Sequence, residues 1–275
     1  MKKILLFSFI GILVLIMNSC KKEELETNTQ AAQDHLFAEK IFNDINRLVE
    51  DAFNDNGLSK SSCASYKSIA SDLSNVDTLI VDFGNLNCLD DYGKLRRGKI
   101  IVIYTGSYKD SGSIFTTTFD HYYVNNTNWV QGTRTVTNKG RNTNGNILFD
   151  VEVDAKITTT SGRIDWASSR KKEWFEGNNT TQNAYDDIYK VTGTASGNGL
   201  NNKSFHVQIT DTLEVNLKCL LSSITHNQRC VIVSGKVKIT PEGYSERLID
   251  YGQGDCNCNF TVILNGKTYH LVIDD

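Results

Sequence analysis

The residues with the plainest chemistry in this 275-residue chain are cysteines: Cys20, then Cys63, Cys88, Cys219, Cys230, Cys256 and Cys258. Six thiols downstream of an export signal read as up to three disulfides, because an oxidising compartment drives thiols to pair. Proximity favours Cys63 with Cys88, which leaves Cys219, Cys230, Cys256 and Cys258 to pair among themselves. Thiolates holding zinc would need CxxC pairs or a histidine at ligand spacing, and neither occurs. The five histidines, His35, His121, His206, His226 and His270, stand far apart in sequence. No G-x-S-x-G elbow, HExxH, Walker loop or Gly-rich βαβ turn is present. The sequence therefore nominates no catalytic residue, no metal site and no cofactor. Asp90-Asp91, Asp186-Asp187 and Asp274-Asp275 are adjacent acids. Neighbours on a strand face opposite ways, so none of these pairs presents two carboxylates to one sugar. Asp250, Gly252, Gly254 and Asp255 could wrap Ca²⁺, but a glycine-permitted turn tied down by Cys256 explains the same residues.

Aromatic residues give the candidate ligand surface. Strict alternation puts Phe115, Phe119 and Tyr123 on one face of a predicted strand, with Tyr122 on the other, and Trp129 opens the next strand. On a concave sheet these would line a groove for lipid or glycan; on a filled sheet they are core. Trp166 and Trp174 bracket a basic stretch ending Arg170-Lys171-Lys172, which reads as a solvated strand or loop.

The elements that must position these residues begin with a targeting segment. Lys2 and Lys3 precede an apolar run, Ile4 to Met17, of about fourteen residues. That is too short for a spanning helix, which needs ~20 residues, and matches the apolar region of a secretory signal. It ends at Asn18-Ser19-Cys20, where a small residue before cysteine resembles a lipobox. The resemblance implies cleavage before Cys20 and lipid on its sulfur, which would anchor the chain in an envelope membrane. Lys21-Lys22-Glu23-Glu24 resembles the export signal of surface lipoproteins, so the expected location is the outer membrane, with the cell surface favoured over the periplasmic face. Residues 1–19 thus read as signal, 20–33 as lipidated cysteine and flexible tether, 34–57 as helix and 58–275 as a β domain.

Composition agrees with that division. Net charge is close to neutral, formally −3, which gives no electrostatic case for nucleic acid. Phe37, Ile41, Ile45, Leu48 and Ala52 recur at helical steps between Asp34, a candidate N-cap, and Gly57. Beyond a linker around Ser59–Ser71 the period falls to two, and hairpin signals recur, Asn265-Gly266 foremost. About a dozen short strands joined by tight turns predict a mainly β fold: a large curved antiparallel sheet or open barrel packed on one N-terminal helix. Val81-Asp82-Phe83-Gly84 and Ile249-Asp250-Tyr251-Gly252 echo one another, each with a cysteine six residues after the aspartate. One kind of strand-ending turn used twice accounts for that.

The stretch Gly98 to Gly106, the Asn138-Lys139-Gly140 turn, and the closing segment from Asp250-Tyr251-Gly252 to Asn265-Gly266-Lys267 resemble uncharacterised β-rich lipoproteins of Bacteroidota-type envelopes. The resemblance runs from about Cys63 to the C-terminus and implies a fold and a location only. A single helix before a long meander is also similar, at the level of fold, to lipoprotein carriers of the LolA type. The expected function is a non-enzymatic binding or structural module of the envelope, its partners the membrane and a lipid, glycan or envelope protein. The rival expectations are a carrier of acyl chains and a hydrolase. Feeding cells an alkyne fatty acid is expected to label the intact chain and not its Cys20→Ser variant; equal labelling of both would sink the lipoprotein reading.

Overall fold

The computed structural model describes residues 28–54, 63–70, 76–91, 93–180, 184–221, 230–257 and 259–271. The signal segment, Cys20, His226 and Cys258 lie outside them. Helix α1 runs Gln30–Asn54 and starts earlier than the pattern predicts. Asn28, not Asp34, serves its first turn: the Asn28 Oδ1 accepts from Gln30 N at 2.8 Å. Asp34 is buried inside the helix and accepts from Leu200 N at 3.0 Å, pinning a distant turn. Ala31 and Ala32, both buried and both strong helix formers, carry the helix back to that earlier start.

Fourteen strands follow: β1 Ser65–Ile69, β2 Asp77–Asp82, β3 Cys88–Leu89, β4 Leu95–Tyr104, β5 Ile114–Val124, β6 Asn128–Arg141 and β7 Ile147–Thr159. The rest are β8 Gly162–Glu176, β9 Ile188–Asn198, β10 Ser204–Asn216, β11 Ile232–Pro241, β12 Arg247–Gln253, β13 Phe260–Leu264 and β14 Lys267–Leu271. They form one antiparallel meander from β1 to β14 that is not closed, with the short β3 paired to β4 off the main path. Two strands escape the period-two reading, β1 in the expected linker and β3, because neither is long enough or apolar enough to show alternation. Strand β10 runs through Asp211 with register shifts against β11.

The sheet curls around the helix. Phe53 of α1 packs edge-on to Tyr104 of β4 and Phe115 of β5. Phe42 meets Phe119 of β5 at 6.2 Å and stacks on Trp166 of β8 at 5.5 Å, while Glu39 accepts from Tyr251 Oη of β12 at 2.6 Å. Strands from β4 to β12 thus reach different sides of one helix. Bulges supply the bend. At Gly98 (φ 85°) a Cβ would stand 2.0 Å from the His121 carbonyl oxygen, so only glycine permits the approach of β4 to β5.

A helix so enclosed buries charge as well as apolar surface. Asp44 pairs with Arg96 Nη2 at 2.7 Å, Arg47 Nη2 at 3.2 Å and Lys94 Nζ at 3.9 Å. Arg96, fully buried, also donates Nε to Asp90 Oδ2 and Nη1 to Tyr122 Oη, each at 2.6 Å. Burial pushes the Asp44 carboxyl up, but Arg96, Lys94 and Arg47 together hold it well below the usual carboxylate range. Stranding a buried charge by deleting its partner costs about 3–5 kcal/mol. Asp44→Asn is therefore expected to lower the urea midpoint by that equivalent, and Arg96→Met in the same chain to restore part of it. A single-variant cost under about 1 kcal/mol would refute this account of how helix and sheet are joined.

Candidate functional site: a chamber between the helix and strands β6 to β11

Alongside α1 the helix and sheet do not close completely. A cavity of about 120 Å³ remains, bounded by Glu39, Asn43, Asn46 and Glu50 of the helix and by the inner faces of β6 to β11. One wall is cationic. Arg134 comes from β6, and Arg170 and Lys172 come from β8. The facing wall is apolar, with Val191, Leu213, Val215 and Ile232 among its residues.

Each cation is only partly answered. Arg134 donates Nη2 to the neutral Asn46 Oδ1 at 2.5 Å, and burial lowers its pKa from the ordinary arginine value. Lys172 lies 3.8 Å from Glu50 Oε1, with its ammonium 3.5 Å from the Tyr189 ring centroid, and burial lowers its pKa too. Arg170 is 7% exposed, and its Nη1 and Nη2 find no hydrogen-bond acceptor. Its nearest carboxylate oxygen, Glu39 Oε1, is 3.5 Å from Nη2.

His35 borders this arrangement. Indole N–H groups only donate, so the Trp166 Nε1 contact at 3.2 Å makes His35 Nδ1 the acceptor and puts the ring's hydrogen on Nε2. Nε2 faces Glu39 Oε2 at 3.7 Å. Burial pulls the His35 pKa down to about 4, with Glu39 opposing and Arg170 assisting. Near the other end Asp187 accepts from Trp174 Nε1 at 2.9 Å and Tyr189 Oη at 3.1 Å. Burial nevertheless pushes its carboxyl up to about 6.

The aromatic candidates are divided by this geometry. Phe115 is buried core, stacked on Tyr104 at 5.5 Å, and Phe119 packs on Phe42 and Tyr122. The bulge at His121 (φ 47°) shifts the alternation, so Tyr122 turns inward and Tyr123 turns out. Tyr123 stacks on Trp129 at 5.9 Å outside the sheet, with Arg97 3.7 Å from its ring centroid. The four residues form no single groove. Cys63–Cys88 and Cys219–Cys256 are bonded, and Cys230 is disulfide-bonded as well. Gly84 N donates to Asp82 Oδ1 at 2.8 Å and Gly252 N to Asp250 Oδ1 at 2.9 Å, so the sequence echo is one side-chain-capped turn built twice. Among the described residues no group of three His, Cys, Asp or Glu side chains is placed to hold a metal ion, and no helix is long and apolar enough to cross a membrane.

The residues that matter most here, Arg170 and Lys172, fall in the stretch that reads as solvated. The signal was available: Trp166, Ser168, Arg170, Lys172 and Trp174 alternate, so if the tryptophans face inward the cations do too. A solvated strand or loop at Arg170-Lys171-Lys172 is the reading this alternation overturns. No family model, curated protein or solved structure matches the chain.

His35 and Asp187 oppose one another with pH. His35 binds its proton more weakly folded than unfolded, so its contribution, up to about 3 kcal/mol, is lost as pH falls from 6.5 towards 4. Asp187 holds its proton more tightly when folded, so stability falls as pH rises from 3.8 towards 6. Between pH 4 and 6 the Asp187→Asn chain is expected to gain stability with rising pH, and the His35→Gln chain to lose it. Melting curves with parallel slopes in both variants would contradict the assignment.

Proposed function

We propose that this chain is a lipid-anchored envelope protein that acts by binding a small compound in the chamber beside α1, without chemistry upon it. The signal segment and the residues before Cys20 support the location. One observation carries the binding reading: Arg170 is buried at the chamber wall with two N–H-bearing nitrogens lacking acceptors. Buried donors are nearly always satisfied, and a guanidinium cannot shed its charge to escape the cost. A bound molecule supplies what the protein does not. Volume favours a small compound over an acyl chain, since a cavity of roughly 150 Å³ accommodates benzene, and this one is about 120 Å³.

The intact lipidated chain, purified in lipid nanodiscs and then denatured, is expected to release a small organic compound in near-stoichiometric amount. Empty nanodiscs serve as the control. If only nanodisc lipids are released and extracts of the source cells do not raise the melting temperature, the binding reading fails.

A further inference from the structure

We propose that the compound is a small organic anion with an apolar body, its anionic group seated on Arg170 and its body on the valine and leucine wall. This rests on the binding reading above. The charge balance of the chamber is the first argument. On its β6 and β8 wall stand three cations, Arg134, Arg170 and Lys172, and the helix carboxylates that line it are Glu39, Asp44 and Glu50. Asp44 is already shared among Arg96, Arg47 and Lys94. Glu39 is already bonded to Tyr251 Oη at 2.6 Å and faces His35 as well as Arg170. Water could satisfy the N–H groups of Arg170 but would leave its buried positive charge answered only by Glu39 at 3.5 Å, a carboxylate it shares with Tyr251. An anion answers both.

Geometry narrows the class. A guanidinium offers a planar fork that matches a carboxylate or a phosphate in two parallel hydrogen bonds, which an ammonium cannot do. Lys172, Val191 and Leu213 follow one another in register across β8, β9 and β10. The residue opposite Arg170 on β9 is Gly193 (φ 131°), where a Cβ would stand 2.2 Å from the Ser169 carbonyl oxygen, so only glycine permits that approach of β9 to β8. A ligand headed by a charge thus meets hydrocarbon within one strand spacing, roughly 5 Å. Together with the cavity volume this describes a single-ring or short-chain carboxylate, or a phosphate monoester of similar size. The other charged clusters offer nothing comparable: Arg96 is enclosed by Asp44, Asp90 and Tyr122, and Arg97 by Asn87, Asn126 and the Tyr123 ring.

The test uses the intact chain in nanodiscs and pairs of probes that differ in charge: benzoate with benzamide, hexanoate with hexanamide, phenyl phosphate with phenol. Calorimetric titration is expected to show at least one anion binding about tenfold or more tighter than its neutral partner. Arg170→Met is expected to weaken that anion about 30-fold or more and leave the neutral partner unchanged. Arg170→Met also removes the cation 3.5 Å from Glu39, so the fold of the unliganded variant is checked by circular dichroism before titration. Equal affinity within every pair, or anion binding that survives Arg170→Met, overturns the anion assignment and leaves the binding reading standing. If no probe binds at millimolar concentration, the charge of the compound released on denaturation decides: a neutral compound overturns the assignment and an anionic one supports it. Release of nothing removes both readings together.

Discussion

A helix can lie inside a curled sheet only if its polar side is answered there as fully as its apolar side. Helix α1 carries Asp34, His35, Glu39, Asp44 and Arg47 in buried positions, alongside Leu36, Ile41, Phe42 and Ile45. In water each of those charges is solvated at no cost; within the sheet each needs a specific partner. Arg96 from β4 is the central one, and it is itself satisfied on three sides by Asp44, Asp90 and Tyr122. The pairing contributes more to register than to net stability, because desolvation offsets much of the Coulomb gain. A helix shifted by a turn would break the Asp44–Arg96 pair, leaving Asp44 with Arg47 and Arg96 with Asp90 and Tyr122.

Curvature follows from the same need. Strands β4 and β12 reach opposite sides of α1 because bulges bend the sheet, and at those bends glycine allows a backbone approach that a side chain would block. Disulfides hold the meander at two places: Cys63–Cys88 joins the segment before β1 to β3, and Cys219–Cys256 joins the turn after β10 to the end of β12. The second lies beside Leu217 and Leu220, which help to line the chamber, so the crosslink also fixes part of its wall.

The chamber lies where the neutralisation of α1 is incomplete. Across from Glu39 and Glu50 stand two arginines and a lysine of β6 and β8, and a small space remains between them and an apolar wall. A buried charge without hydrogen-bond acceptors is costly unless a ligand answers it. Sites of this kind combine a mostly apolar lining with a few convergent polar groups.

Local pattern carried much of the architecture. Period-two alternation from Thr78 onward placed most of the strands, Asn265-Gly266 fixed the last hairpin, and Phe37, Ile41 and Ile45 marked the helix, because each signal is set by neighbours in sequence. Sequence proximity was enough for Cys63 with Cys88. The direction in which Tyr123 and Tyr122 point was not legible, since one extra residue at His121 inverts every side chain beyond it. Nor was the burial of Arg170 and Lys172: a basic run has the same sequence on a solvated edge as on an enclosed wall. Only the curl of the sheet brings β8 across from Glu39 and Glu50, residues more than a hundred positions earlier in the chain. Chain-local interactions determined which elements form, and long-range charge pairing decided which of their faces became the interior.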